Sequence, residues 1–183
     1  MKATPLLTGW TCRHLGDTAP GRPVTLPHDA MLAEPRTALS AGGVNTGWYE
    51  GYDYEYQRTL TVPENELSDT HILEFEGVYH NAEVWLNGQK AAFRPYGYTN
   101  FYVDCAPFLH AGDNELRVIA RNADQPNSRW YSGAGLYRPV QLWTAGEKHI
   151  LLNGVRIRTV SLNPAVVEIR VRTSAPGTVR LMV

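Results

Sequence analysis

The sequence predicts an all-β protein of the β-sandwich or jelly-roll type, and three observations lead to this prediction. Apolar and polar side chains alternate with a period of two along most of the chain, which is the pattern of strands with one buried face. Glycine, proline and asparagine interrupt these runs at short intervals, as turns between antiparallel strands require. No long segment shows the apolar spacing of an amphipathic helix.

Each predicted strand rests on its own alternating run. Tyr52, Tyr54 and Tyr56 alternate with polar residues and predict a strand with a buried aromatic face. The dipeptide Asn87-Gly88 predicts a type I′ hairpin turn, because both central positions of that turn need a positive φ. The predicted strands in this part of the chain cover residues 52–62, 73–76, 82–86, 101–103, 115–120 and 140–143.

The pattern changes after Trp143. Residues 144–149 are polar and predict a linker, so we place one domain at 1–146 and the start of another at 147–183. Three further alternating runs follow, at 155–157, 167–171 and 179–183. Three strands cannot bury a sandwich core. We therefore expect only the opening strands of a second β domain.

Composition and charge exclude several classes of function. Seventeen basic against eighteen acidic residues give a net charge of -1, which argues against nucleic-acid or membrane partners. The first ten residues lack the apolar core of a signal peptide, so a cytoplasmic location is expected. Cys12 and Cys105 and the scattered histidines lack ligand spacing. We therefore predict no metal site and no cofactor.

Four ordered motifs resemble one known family. The longest is residues 128–140, Ser-Arg-Trp-Tyr-Ser-Gly-Ala-Gly-Leu-Tyr-Arg-Pro-Val. Residues 73–78 read Leu-Glu-Phe-Glu-Gly-Val, residues 82–88 read Ala-Glu-Val-Trp-Leu-Asn-Gly, and residues 26–29 read Leu-Pro-His-Asp. Together they resemble the family 2 glycoside hydrolases, which include β-galactosidases, β-glucuronidases and β-mannosidases.

The resemblance implies an architecture and a role. Members of the family begin with a jelly-roll (galactose-binding-like) β-sandwich, continue with an immunoglobulin-like β-sandwich, truncated here, and then carry a catalytic barrel with two glutamates. The chain is thus expected to be a non-catalytic sugar-binding and scaffold domain of a retaining glycosidase. Residues 131–135 favour the β-galactosidase branch. The expected partners are a β-linked saccharide bound in the complete active site, the missing barrel, and further copies of the chain in a homo-oligomer.

Three alternatives remain open at this point, and the first is that the parent enzyme is a β-glucuronidase or a β-mannosidase. A free-standing carbohydrate-binding module would end at a domain boundary, whereas the last apolar run continues to Val183. A structural or adhesive β-sandwich would need no sugar site, but it gives no reason for the ordered motifs.

The candidate sugar-binding residues lie in two loops. A sugar presents apolar C–H faces ringed by hydroxyls, so its site needs an aromatic platform beside planar hydrogen-bonding groups. The loop at 124–131 supplies both kinds of group, and the glycine-rich loop at 42–51 is similar in character. In the alternative interpretation Trp130 packs into the sandwich, and we expect Tyr137 and Arg138 to be structural. The predicted sugar contacts are Asn127, Ser128, Arg129, Trp130 and Asn45.

No catalytic residue is predicted. Retaining hydrolysis needs two carboxyl groups about 5–5.5 Å apart, one with a raised pKa. Glu74 and Glu76 lie two positions apart on one strand, which brings them to the same face. Such like-charged pairs are typical of a solvated strand face. We therefore interpret both as surface residues.

Overall fold

The computed structural model describes residues 1–182, and these residues form twelve β-strands and four short 3₁₀ turns. Within that range no helix is long and apolar enough to cross a bilayer. The 3₁₀ turns are Ala30–Ala33, Gly43–Thr46, Glu64–Glu66 and Ala106–Phe108. The strands are β1 (Lys2–Pro5), β2 (Trp10–His14), β3 (Arg22–Val24), β4 (Asp53–Val62), β5 (Thr70–Phe75), β6 (Ala82–Leu86), β7 (Gln89–Arg94), β8 (Phe101–Asp104), β9 (Gly112–Arg121), β10 (Val140–Ala145), β11 (Ile150–Leu162) and β12 (Ala165–Thr173).

Two antiparallel sheets enclose the main core. One has the strand order β1-β10-β5-β8 and the other the order β3-β2-β4-β9-β6-β7, so strands distant in sequence become neighbours. The core draws on both sheets, because alternate residues of each strand turn inward. Its largest fully buried side chains include Trp10, Tyr54, Tyr56, Phe75 and Leu116. The predicted all-β sandwich is confirmed.

Local sequence signals account for the hairpin between β6 and β7. Asn87 has a φ of 50° and Gly88 a φ of 75°, as the type I′ turn requires. The Asn87 side chain also donates to the Asn114 side chain at 2.7 Å, and Asn114 is completely buried. The amide nitrogen of the Asn114 side chain donates to the carbonyls of His110 at 2.8 Å and Gly112 at 3.0 Å. This amide therefore satisfies backbone groups in the turn that leads into β9.

A two-stranded hairpin of β11 and β12 follows the sandwich. The predicted linker begins too early, because Thr144 and Ala145 still pair with β5 as part of β10. The predicted run at 179–183 is wrong as far as the structure describes it, since residues 174–182 form no strand and Val183 lies outside the described residues. The boundary between 146 and 147 stays a prediction.

The surface assignment of Glu74 is also wrong. This side chain is only 8% exposed. Its carboxylate accepts from Trp143 Nε1 at 2.7 Å and from Asn100 Nδ2 at 3.0 Å. Burial is tolerated because both oxygens are hydrogen-bonded. Glu76, by contrast, is half-buried and accepts from Gln141.

Replacing Asn114 with alanine should destabilise the sandwich. The change leaves several buried backbone groups without partners, so we expect the free energy of unfolding to fall by about 2–4 kcal/mol. Urea unfolding followed by tryptophan fluorescence measures the loss. Asn65→Ala, at an exposed position in a 3₁₀ turn, is the matched control and should change stability by no more than about 0.5 kcal/mol. Equal stability of the two variants would refute this role for Asn114.

Brief trypsin digestion should cut first after Lys148. This residue is exposed in the short segment between β10 and β11, where proteases find accessible backbone. Mass spectrometry should therefore detect a stable fragment ending there, and Lys148→Gln should abolish it. A first cut within β4 would contradict the domain boundary.

Candidate functional site

The candidate site is built on the long connection between β9 and β10. This connection leaves β9 at Arg121 and enters β10 at Val140. It contains the motif at 128–140 and most of the predicted sugar contacts. Loops with few regular hydrogen bonds need side-chain anchors to hold one conformation, and two such anchors are present.

The first anchor is the carboxylate of Asp29. Its Oδ1 accepts from the backbone N–H groups of Ala134 at 3.0 Å and Met31 at 3.1 Å. Its Oδ2 accepts from the hydroxyl of Tyr131 at 2.6 Å. Gly133 allows this approach, because it has a φ of +71° and a Cβ there would lie 2.5 Å from Asp29 Oδ2. Charge-assisted bonds of this kind are stronger than neutral ones.

The second anchor is the buried hydroxyl of Tyr56. It lies 2.8 Å from His28 Nδ1. A Cβ on Gly135 would come within 2.0 Å of this hydroxyl, and the φ of Gly135 is +91°, so glycine is required there. Burial raises the pKa of Tyr56 well above its ordinary value, which keeps the hydroxyl protonated. The motifs at 26–29 and 128–140 thus pack directly against each other.

Asn127 is half-buried, and its side chain is bonded to neighbouring residues of the chain. Its Oδ1 accepts from Tyr79 OH at 3.2 Å. Its Nδ2 lies within 3.0 Å of three acceptors, namely His80 Nε2, Asn122 Oδ1 and the Asp124 carbonyl. Because both of its N–H donors and one acceptor position of its oxygen are used within the chain, Asn127 positions the loop.

Trp130 points outward. Its side chain is 63% exposed, so the alternative in which it packs into the sandwich is wrong. Ser128 Oγ accepts from the Trp130 backbone N–H at 3.3 Å and fixes the local turn. Arg129 is also exposed. Tyr137 and Arg138 are structural as expected, since they donate to backbone carbonyls at 2.8 Å and at 3.3–3.5 Å.

Sequence reasoning missed a group of tyrosines beside this loop. Tyr98 OH lies 2.9 Å from Ser132 Oγ, and the Tyr98 ring is 5.3 Å from that of Tyr79 and 5.6 Å from that of Tyr96. Burial raises the pKa of Tyr98, but hydrogen bonds led by Ser132 outweigh burial and leave this pKa below its ordinary value. The signal was the aromatic turn at 95–98, Pro-Tyr-Gly-Tyr, because aromatics in glycine-containing loops are often functional.

Within residues 1–182, no hydrogen bond of the Asn45 side chain links it to the loop between β9 and β10. It lies in the 3₁₀ turn Gly43–Thr46, and its backbone N–H donates to Gly42. None of the side-chain hydrogen bonds formed by residues 1–182 includes Asn45. The connection between the two loops runs instead through Tyr49, whose ring lies 5.8 Å from that of Tyr131. The predicted role of Asn45 stays a prediction.

The arrangement can present an aromatic face beside hydroxyl and guanidinium groups. Trp130 and Tyr96, which is 56% exposed, are free to contact a ligand. The carboxylate of Asp29 is held by three donors and therefore acts as a scaffold. No group of three or more histidine, cysteine or acidic residues is placed to hold a metal ion within the described range 1–182.

His80 should titrate below the ordinary histidine range. Burial lowers the pKa of His80, and its Nε2 accepts from Asn127 only when neutral. As the pH falls, His80 is therefore protonated in the unfolded chain before it is protonated in the folded chain. The stabilising contribution of neutral His80 is lost as the pH falls below about 6.5 toward the lower folded pKa. NMR titration of the imidazole carbons measures the shift.

Asn127→Asp should raise the pKa of His80, because a carboxylate at that position stabilises the imidazolium. Asn45→Asp, in the other loop, is the matched control and should leave it unchanged. If His80 titrates at or above pH 6.5 in the unmodified chain, the proposed hydrogen-bond arrangement is wrong.

Comparison with known proteins identifies the family. The family described as glycosyl hydrolase 2 galactose-binding domain-like matches residues 21–160. A β-galactosidase from Bacteroides ovatus is 37% identical over 161 residues, which are 82% of this chain and 19% of that protein. A protein from Formosa agariphila that is assigned as a β-glucuronidase is 34% identical over 139 residues, which are 76% of this chain and 13% of that protein. The chain thus spans less than a fifth of the length of these relatives.

Solved structures agree with the sequence relatives. A β-glycosidase from Bacteroides vulgatus has a TM-score of 0.79 at 29% identity, covering 94% of this chain and 24% of its own. A family 2 glycosyl hydrolase from Bacteroides cellulosilyticus has a TM-score of 0.78 at 27% identity, covering 88% of this chain and 23% of its own. The resemblance carried by the four motifs is therefore confirmed. The chain belongs to the galactose-binding-like domains of the family 2 glycoside hydrolases.

Proposed function

We propose that this chain is the non-catalytic, sugar-site-forming domain of a retaining glycosidase that hydrolyses terminal β-D-galactosides. The observation that carries the proposal is the outward Trp130, 63% exposed on a loop fixed by Asp29 and Asn127. A rigid backbone with an exposed indole supplies one wall of a sugar subsite, because the indole face stacks on C–H groups. Holding the loop in place beforehand lowers the entropy cost of binding.

The galactoside specificity is supported by the relative from Bacteroides ovatus, a β-galactosidase 37% identical to this chain. The sequence Tyr-Ser-Gly-Ala-Gly at 131–135 supports the same branch. Here the hydroxyl of Tyr131 donates to Asp29, and the close approach of Asp29 leaves no room for a Cβ at Gly133. Ser132 contacts Tyr98. The segment that favours this branch therefore also shapes the candidate site.

The chemistry of hydrolysis is assigned to a part of the protein beyond this chain. A retaining enzyme places a nucleophile and an acid/base about 5–5.5 Å apart. In the site described above, the carboxylate of Asp29 is committed to three hydrogen bonds. The role left for this domain is to position the sugar, which raises the effective concentration of the reacting bond near the catalytic pair.

Residues 147–183 are proposed to open an immunoglobulin-like domain. In the hairpin of β11 and β12, Val155 pairs with Val171 and Ile157 pairs with Ile169. These apolar residues share one face, and Ile157 is 67% exposed. An isolated two-stranded ribbon is only marginally stable in water. Further strands packed on this face would complete the sandwich core.

A β-glucuronidase is the second candidate, and Arg129 is the observation that favours it. This residue is exposed next to Trp130 and makes no side-chain hydrogen bond or ion pair within residues 1–182. A guanidinium binds a carboxylate in a bidentate geometry, which suits a uronic acid. The relative from Formosa agariphila, assigned as a β-glucuronidase, also supports this candidate.

Kinetics on the complete protein decide between these functions. We expect it to hydrolyse 4-nitrophenyl β-D-galactoside, and Trp130→Ala should lower kcat/KM about tenfold or more, because the change removes the stacking surface. Phe93→Ala removes an exposed aromatic from β7 and is the matched control, with unchanged kcat/KM.

Other results would assign a different role. Hydrolysis of the glucuronide alone, lost in Arg129→Ala, would establish the second candidate. Wild-type kinetics in Trp130→Ala would show that the loop does not contact the sugar. Turnover by the 183-residue chain itself, in a preparation free of host glycosidase, would contradict the non-catalytic role.

A further inference from the structure

A second polar concavity lies beside the C-terminal end of the Ala30–Ala33 turn. It is a cleft of about 270 Å³ at the end of β2, and none of its lining residues belongs to the loop at 124–132. This volume is slightly below the range of about 300–1,000 Å³ that is typical of pockets for drug-sized ligands. The cleft therefore suits a single small ring. Its lining residues are Cys12, Arg13, His14, Asp17, Pro20, Arg22, Ala33, Glu34 and Tyr54.

Glu34 is the central hydrogen-bond acceptor of the cleft. Its side chain is only 8% exposed. Oε1 accepts from His14 Nε2 at 2.8 Å and from Tyr54 OH at 3.3 Å. Burial and the neighbouring Glu34 raise the pKa of Tyr54, so this hydroxyl remains a donor. The second oxygen of Glu34, Oε2, has no hydrogen-bond partner within residues 1–182. It is not one of the fully buried polar atoms without a partner in that range. It can therefore accept from a small molecule in the cleft.

Arg22 supplies the complementary donors. It is exposed on the short edge strand β3, and its guanidinium forms no ion pair or hydrogen bond with any residue from 1 to 182. Arg13, on the adjacent strand, is already paired with Glu55. The cleft is thus lined both by the free donors of Arg22 and by the free oxygen of Glu34.

The lining of the cleft carries charges of both signs. Arg22 is positive and Asp17 and Glu34 are negative, whereas Arg13 is already paired with Glu55, so a simple anion is not favoured. A neutral molecule with adjacent donors and acceptors satisfies both sides, and a ring bearing several hydroxyls has this property. Pro20 and Ala33 add apolar surface for the C–H groups of such a ring.

We propose that this cleft is a second ligand site that binds one neutral, hydroxyl-rich ring, such as a monosaccharide unit, between Arg22 and Glu34. Hydroxyls of the ring donate to the free oxygen of Glu34 and accept from the guanidinium of Arg22. The proposal does not depend on the function assigned to the loop at 124–132, because the two sites share no residue.

The test is an NMR titration of the isotope-labelled 183-residue chain with D-galactose, D-glucose and, as a zwitterionic competitor, L-alanine. We expect saturable shifts of residues 12–22 and 33–34 with at least one of the sugars, with a dissociation constant in the millimolar range. Arg22→Ala should raise that constant about tenfold or more, the loss expected for hydrogen bonds to a charged group.

Two further variants separate the possible outcomes. Arg172→Ala removes an exposed arginine from β12 and should leave the constant unchanged. Trp130→Ala should also leave it unchanged, because Trp130 belongs to the other site. If the NMR spectrum of Arg22→Ala matches that of the unmodified chain, a lower affinity of this variant does not result from a folding defect.

Three results would overturn the proposal. The first is the absence of saturable shifts in these residues at ten times the expected constant. The second is tighter binding of L-alanine than of either sugar, which would assign a zwitterion to the cleft. The third is an unchanged constant in Arg22→Ala. Shifts confined to residues 127–132 would support the function proposed for that loop and reject this cleft as a sugar site.

Discussion

The carboxylate of Asp29 holds the long loop between β9 and β10 to the body of the sandwich. One oxygen receives two backbone N–H groups and the other receives the hydroxyl of Tyr131. A loop of this length would otherwise sample many conformations, since closing it costs entropy and only part of its backbone, as at the bridge between Gly135 and Tyr79, pairs with another segment. The ionised acceptor makes these bonds stronger than neutral ones. The position of Trp130, one residue before Tyr131, follows from this contact.

The loop separates its polar and aromatic residues into two layers. The half-buried amide of Asn127 is bonded to Tyr79, His80 and neighbouring loop groups, whereas the indole of Trp130 faces outward. The amide of Asn127 therefore fixes the conformation of the loop, and the indole of Trp130 supplies its exposed aromatic surface. The same division of roles explains why a loop can form a binding wall without a helix or strand beneath each contact residue.

The sequence determines the strands more clearly than the site. Period-two alternation and the Asn87-Gly88 turn predict β4, β6 and β9 because these signals are local. Burial of Glu74 was missed because its partner Trp143 lies 69 residues away on a strand that only the topology makes adjacent. Tyr98 was missed for the same reason, since its contact with Ser132 crosses 34 residues.

For Asn127, the residue type alone could not indicate direction. An asparagine in a loop can bind a ligand or satisfy the backbone, and only its neighbours decide between these. The resemblance to the family drew attention to this loop, and its role in sugar binding stays a prediction. The structure then separated its outward residue, Trp130, from its inward one.

The short 3₁₀ turn Ala30–Ala33 has a consequence for how this segment can vary. Asp29 precedes the turn and Glu34 follows it, so the relative placement of the two carboxylates depends on the four residues between them. One inserted residue would rotate one carboxylate about a third of a turn relative to the other. Asp29 could then keep Tyr131, or Glu34 could keep His14, but not both. Length changes, which surface connections ordinarily accept, are therefore excluded from these six residues, even where individual side chains in the turn can be exchanged.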